Sequence, residues 1–296
     1  MISRNPIAGQ MRPVPIDSGL TITDKEFRQL RELIHAQTGI ALSEHKRALV
    51  CSRLAKRLRY HGLRRYADYY ELLTQRDPDG QELVAMINSI TTNKTDFFRE
   101  PHHFRFLAEK VFPAYRQNPN RVRPLRLWSA AASSGEEAYS LAITALDAMP
   151  SMNEQNICIL ATDIDTEVLS RAENGVYAME QASRIPPALL RRYFFKGVGE
   201  HADEVMVKPI LKTLIHFRWL NLQEDPWPMQ ELFDVILCRN VLIYFDKATQ
   251  QKLFQRMGKM LKKDGYLMLG HSEAIHGLGE LFKPVGHSIY QCRGSK

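Results

Sequence analysis

At 296 residues, with 44% hydrophobic and 25% charged residues, the chain has the composition of a globular protein large enough for two domains, which excludes an extended disordered polypeptide. The formal net charge of +7 points to an acidic partner on some part of the surface. Its four cysteines, Cys51, Cys158, Cys238 and Cys292, form no CxxC pair, and two lie inside apolar runs. They read as small buried hydrophobes of a reducing compartment, which excludes a disulfide scaffold or a cysteine metal site.

Residues 1–20 are polar and proline-containing with no apolar run, so a mobile tail without a signal peptide is expected, and with it a cytoplasmic location. No apolar stretch is long enough to span a bilayer. An all-helical domain follows over 21–92. Thr23 opens a TDKE capping box, and Phe27, Leu30, Leu33 and Ile34 then recur at helical spacing. Further helical patterns run over 44–60, 66–74 and 81–90.

The second of these helices carries charge. From Lys46 to Arg65 there are eight Lys or Arg and no Asp or Glu. Helical spacing aligns Lys46, Arg53 and Arg57, with Lys56 beside them, opposite an apolar face of Val50, Leu54 and Leu58. A solvated face is one reading; the absence of a balancing acid favours the other, a docking surface for an acidic partner. Aromatic residues for stacking on bases are not interleaved.

A linker and helix are expected over 93–124, with Pro101 opening a helix whose apolar face is Phe104, Leu107, Val111 and Phe112, and a turn over 119–124. Beyond it, strands (125–129, 157–162, 235–238, 265–270) alternate with helices (136–146, 166–172, 247–261). That rhythm predicts a doubly wound, Rossmann-like α/β domain over 125–296. Residues 175–222 interrupt it. A helical patch at 187–194, then β-like runs at 205–207 and 214–219, predict a small antiparallel β-subdomain inserted at about 195–220. Its edge suits an added peptide strand or is a plain structural hairpin; spacing does not choose between them.

The chemistry lies at the strand ends, where open α/β sheets bind ligands. Residues 129–134 are all small, and Gly135 precedes Glu136 at a helix start, but the GxGxxG fingerprint is missing. An acid at this helix start repels a pyrophosphate, so Glu136 favours a ligand whose nearby group is neutral or cationic, as in S-adenosylmethionine. Glu136 and Glu137 also fit simple compensation of the helix dipole. Asp163, ending the second strand, suits two ribose hydroxyls, and Asn221, Arg239 and Asn240 occupy later turns. His102, His103, His271 and His276 match no zinc spacing and read as caps or packing residues, so no metal is expected. The GHSE run at 270–273 reads as a turn after a strand.

The runs NSITTNKTDFFREPHHF from Asn88, WSAAASSGEEAYSLAI, ATDID, CRNVLIYFDKATQ from Cys238 and GYLMLGHSE together resemble bacterial chemotaxis receptor methyltransferases of the CheR family, over nearly the whole chain. The resemblance implies transfer of a methyl group from S-adenosylmethionine to glutamate side chains on the cytoplasmic helices of chemoreceptors, leaving S-adenosylhomocysteine. It implies cofactor contacts at Asn93, Thr95, Arg99, Glu136, Asp163, Asn221, Leu222, Arg239 and Asn240. It also implies a monomer recruited to membrane receptor arrays, with a β-subdomain able to hold a receptor C-terminal peptide. The family's first loop often carries cysteine or threonine where Ala132 or Ser134 stands here, which keeps small side chains.

Arg99 and Tyr244 are the candidate catalytic residues, each able to hold a substrate carboxylate by hydrogen bonds, against readings as an ion-pair partner and a core aromatic. Lys46, Arg53, Lys56 and Arg57 are the candidate receptor contacts. Two other functions compete. A nucleic-acid methyltransferase shares the fold but, if it methylates amino groups, carries an NPPY-like motif where this chain has Arg239-Asn240-Val-Leu; a non-catalytic cofactor-binding scaffold is separated by its lack of turnover.

Overall fold

The computed structural model describes residues 20–118 and 123–294. The tail expected over 1–20 and the turn over 119–124 fall mostly outside these residues. Four helices form the N-terminal part: α1 (Asp24–Thr38), α2 (Arg47–Tyr60), α3 (Tyr66–Gln75) and α4 (Gln81–Ile90). The Thr23–Glu26 capping box is present, with Glu26 accepting from the Thr23 N–H at 2.8 Å. Phe27, Leu30, Val50, Leu54, Leu58, Tyr66 and Tyr69 close one core among the four helices.

Glu82, in the first turn of α4, is buried against the basic face of α2. It accepts from Arg57 Nε at 2.9 Å and from the Tyr69 hydroxyl at 2.6 Å, with His61 Nε2 2.6 Å away. Arg53 donates to the carbonyls of Ile90 and Thr91 and to Thr92 Oγ1. Two of the four expected docking cations are therefore joints of the helical domain. The segment 46–65 has no acid of its own, and the balancing carboxylate arrives from another helix. Lys46 and Lys56 remain exposed.

A helical segment joins the two parts: α5 (Pro101–Phe106), one π-helical stretch (Leu107–Val111) and α6 (Phe112–Gln117). Then come β1 (Leu125–Ser129), α7 (Glu136–Ala148), β2 (Ile157–Asp163), α8 (Thr166–Asn174), β3 (Val176–Ala178), α9 (Met179–Ala182), α10 (Pro187–Tyr193), β4 (Phe194–Lys196), β5 (Glu204–Val207), α11 (Pro209–Lys212), β6 (Ile215–Trp219), β7 (Phe233–Cys238), α12 (Lys247–Met260), β8 (Leu261–Leu269), β9 (Phe282–Gly286) and β10 (Ile289–Cys292). The main sheet has seven strands in the order β6-β2-β1-β7-β8-β10-β9. Strands β6 to β8 pair in parallel, and β10 is antiparallel to both neighbours. Helix α7 is buried from Glu136 to Leu146, which its Ala-rich sequence permits. Gly135 starts it at φ +95, where a Cβ would lie 2.8 Å from Ala172 Cβ, so close packing of α7 on α8 requires glycine there.

Two expectations change. Residues 215–219 do not belong to the inserted subdomain: β6 pairs in parallel with β2, Ile159 opposite Ile215 and Asp163 opposite Trp219. The subdomain is instead a three-stranded antiparallel sheet, β3-β5-β4, within residues 176–207. Alternating burial describes a hairpin strand and the edge strand of a large sheet equally well, so the pairing partner decides. Strands β9 and β10 were not expected.

The helical part docks over the carboxyl ends of the strands. The Ala41 N–H donates to the Tyr244 carbonyl at 2.8 Å, and Ile40 bridges Phe245. Asn221 Nδ2 donates to the Gln37 carbonyl at 2.6 Å.

Candidate active site

A cavity of about 430 Å³ lies between the helical part and the carboxyl edge of the sheet, and its walls include residues after β1, β2, β6 and β7. Strand order reverses between β1 and β7, where loops diverge to opposite faces and leave a crevice. Its size suits a small organic ligand.

Asp163 ends β2 on the cavity wall and is 8% exposed. Its carboxylate accepts the Ser133 N–H at 2.8 Å and the Asp165 N–H at 3.0 Å, one on each oxygen. Burial pushes its pKa up from 3.8 to about 6, against those N–H groups. Each oxygen keeps a lone-pair direction for a ligand hydroxyl.

Arg239, just after β7, is held between two acids. It donates to Glu137 Oε2 at 2.8 Å and lies 3.2 Å from Glu100 Oε2, and it also donates to the Arg99 carbonyl. Ser129 Oγ donates to the other Glu137 oxygen at 2.7 Å. Burial raises the Glu137 pKa, with Arg239 opposing, whereas at Glu100 the His271 N–H and Arg239 outweigh burial and hold the carboxyl low. Glu137 lines the cavity, but Glu136, the residue expected there, is not among the lining residues. Its carboxylate accepts from Ser134 Oγ at 2.7 Å, and burial raises its pKa. One position along a helix is about 100° of rotation, and the sequence pair EE does not say which acid meets the cavity.

The other expected cofactor residues, Asn93, Thr95, Arg99, Asn221, Leu222 and Asn240, all line the cavity, as does Tyr244. Asn93 Nδ2 donates to Asp165 Oδ2 at 2.6 Å, and Ser133 Oγ donates to the Asn93 carbonyl at 2.9 Å, which pins the 91–95 segment to the sheet. Arg99 donates to the Lys94 carbonyl at 3.0 Å. Of the candidate receptor contacts, Lys46 lines the cavity, and Arg53, Lys56 and Arg57 do not. Sequence reasoning gave no role to Glu100 and Asp165, although both lie in the quoted motifs, and gave Glu137 only compensation of the helix dipole.

Glu100, His102 and His103 place potential ligand atoms within 4.8 Å of one another. The Arg239 guanidinium already occupies Glu100, and a cation there opposes a metal ion. His103 is fully buried, and burial pushes its pKa down to about 3.

Charges of both signs line the cavity. Asp163 and Glu137 are buried carboxylates and Asp96 a half-buried one, while exposed Lys46 and Lys94, half-buried Arg99 and buried Arg239 are cations. Such a site accepts hydroxyl and ammonium groups as well as an anion.

Residues 25–91 match the family model "CheR methyltransferase, all-alpha domain", and residues 93–291 match "CheR methyltransferase, SAM binding domain". The chain is similar to "Chemotaxis protein methyltransferase 2" of Pseudomonas aeruginosa, with 44% identity over 90% of this chain and 93% of that one. It is also 42% identical to the "Chemotaxis protein methyltransferase" of Salmonella typhimurium, over 94% of this chain and 93% of that one, and to that of Escherichia coli, over 92% of each.

Proposed function

The chain belongs to the CheR methyltransferase family and is an S-adenosylmethionine-dependent methyltransferase of chemotaxis, and from that premise we propose that it esterifies glutamate side chains on the cytoplasmic helices of chemoreceptors. The observation that carries this reading is the cavity at the strand ends, lined by Asp163 and Glu137 for the cofactor and by Lys46, Lys94 and Arg99 for an acidic acceptor.

The residues present fit S-adenosylmethionine. Asp163 has free lone pairs for ribose hydroxyls, Leu222 offers an apolar wall, and Glu137 and Asn240 are polar groups beside the β1–β7 crevice. When bound, the cofactor supplies an electrophilic methyl group. The protein's own task is positioning. A glutamate carboxylate is ionised at neutral pH, so no general base is needed. Arg99 holds the acceptor carboxylate by charge-assisted hydrogen bonds, and Tyr244 donates another. The α1–α2 junction and the end of α4 wall the cavity over the strand ends and exclude water. Holding acceptor and donor in line can lower the barrier by about 7–11 kcal/mol.

Lys46 and Lys56 guide the acidic methylation helix toward the cavity, a role that passes from Arg53 and Arg57 because those are engaged within the fold. The β-subdomain holds a receptor C-terminal peptide. Supporting this, Val176, Met206 and Phe195 are cross-strand neighbours on its open face, and β4 is a free edge. Among the described residues no helix is long and apolar enough to cross a membrane, so the enzyme meets its substrate from the aqueous side of the receptor.

The test is labelled S-adenosylmethionine mixed with receptor cytoplasmic fragments. Base-labile label on receptor glutamates is expected, and label only on nucleic acid, or none, overturns the proposal. Arg99→Ala should lower kcat at least about 100-fold with the fold intact; near-normal turnover removes Arg99 from the mechanism.

A further inference from the structure

Glu273 lies in the turn after β8, has been given no role so far, and is 7% exposed. Its carboxylate accepts three backbone N–H groups. Oε2 takes those of Asn240 at 2.8 Å and Gly270 at 2.7 Å, and Oε1 takes that of Leu242 at 2.8 Å. Among the described residues no Lys, Arg or His forms an ion pair with it. Closing its own turn requires none of this, because the Glu273 N–H already donates to the Gly270 carbonyl at 2.9 Å. The two long-range bonds go instead to the loop after β7, whose residues 239–241 and 243–245 line the cavity.

That loop has an unusual backbone. Asn240 sits at φ +60, in the left-handed region that asparagine enters more readily than most non-glycine residues. The N–H groups of Asn240 and Leu242 flank this kink, and one carboxylate fixes both. Gly270 completes the junction: a Cβ there would lie 2.4 Å from Asn240 Nδ2 and 2.8 Å from Glu273 Oε2, so the GHSE run needs its glycine for space.

We propose that Glu273 is a positioning residue for methyl transfer: it clamps the Arg239–Tyr244 loop so that Asn240 and Tyr244 hold their places on the cavity wall. The proposal rests on the methyltransferase reading. It gives the carboxylate of the GHSE run a part in the reaction, where the sequence offered only a turn.

Glu273→Gln tests it. An amide has one oxygen, so either orientation sets an NH2 group against a backbone N–H that the carboxylate now accepts. With labelled S-adenosylmethionine and a receptor fragment, the expected result is a rise of about tenfold in the cofactor KM and a comparable fall in kcat. The receptor KM should stay within about twofold, and the gain in Tm on adding S-adenosylhomocysteine should shrink. A purely structural role would lower the Tm of the free protein and leave the cofactor KM and the ligand-induced gain at parental values, which overturns the proposal. Should E273Q not fold, Gly270→Ala presses on the same junction with the carboxylate retained; a parental cofactor KM in G270A overturns it equally. A parent protein that gains no stability from S-adenosylhomocysteine defeats the methyltransferase reading itself, a different result from a variant that matches an active parent.

Discussion

Asp163→Asn should make the protein more stable and less able to bind its cofactor. Burial holds the Asp163 carboxyl at about 6, against a usual 3.8. At neutral pH the folded protein therefore carries a charge that destabilises it by about 3 kcal/mol, at 1.36 kcal/mol per pKa unit. The sign follows from linkage. A carboxyl with a folded pKa above its unfolded one contributes most below about pH 4, and that contribution is lost as pH rises through 6. Asparagine avoids the charge but offers one acceptor oxygen to the two N–H groups of Ser133 and Asp165, a loss of about 1–2 kcal/mol. The net gain is about 1–2 kcal/mol at pH 7.5, or about 2–8 °C in Tm. Cofactor binding moves the other way. Losing charged hydrogen bonds to ribose hydroxyls, about 1.5–3 kcal/mol, weakens affinity about 10- to 100-fold. Thermal melts with and without S-adenosylhomocysteine from pH 4.5 to 8, with titration calorimetry, give both quantities. The variant's advantage should vanish near pH 4.5, and the parent's own ligand-induced gain in Tm should fall below pH 6. A variant that is destabilised at pH 7.5, or that binds S-adenosylhomocysteine normally, refutes the reasoning.

Two further substitutions separate roles that look alike in sequence. Arg57→Glu sets a second carboxylate beside buried Glu82 and should destabilise the helical domain by about 3–5 kcal/mol, seen as an early transition in urea. Lys56→Glu, on an exposed residue, should leave the melt unchanged while raising the receptor KM and weakening its salt dependence; an unchanged KM removes Lys56 from docking. Acid should weaken the same joint. At Glu82 the hydrogen bonds from Arg57, Tyr69 and His61 outweigh burial and lower its pKa, so its stabilisation is present above about pH 4.3 and lost as pH falls through the lowered value. In the sheet domain, Arg239→Met strands Glu137 and Glu100 and should destabilise by about 3–5 kcal/mol. Adding Glu137→Gln should restore about 1–3 kcal/mol of that loss, and strictly additive effects in the double variant would refute the coupling.

Local signals specified much of the molecule. The capping box at Thr23, the apolar spacing of Phe27, Leu30 and Ile34, and the buried runs 125–129 and 235–238 each formed the expected element, because helix period and strand burial are properties of neighbouring residues. The polar strand ends and family motifs likewise named a polar part of the cavity wall: Asn93, Arg99, Asp163, Asn221, Arg239 and Asn240 are far apart in sequence and line one cavity. Only the tertiary structure decided who pairs with whom. Residues 215–219 alternate in the same way whether they close a hairpin or extend the main sheet, and pairing with β2 chose the sheet. The basic stripe on α2 had no acid within its own segment, yet Glu82 from α4 turned Arg57 inward and left Lys46 and Lys56 on the surface. Of the adjacent acids at 136 and 137 the sequence reading chose Glu136, whereas Arg239 and Ser129 meet Glu137 and Glu137 lines the cavity. Periodicity fixes which face of an element is buried; the partner of a charge or a strand edge comes from distant chain, and folding alone brings it there.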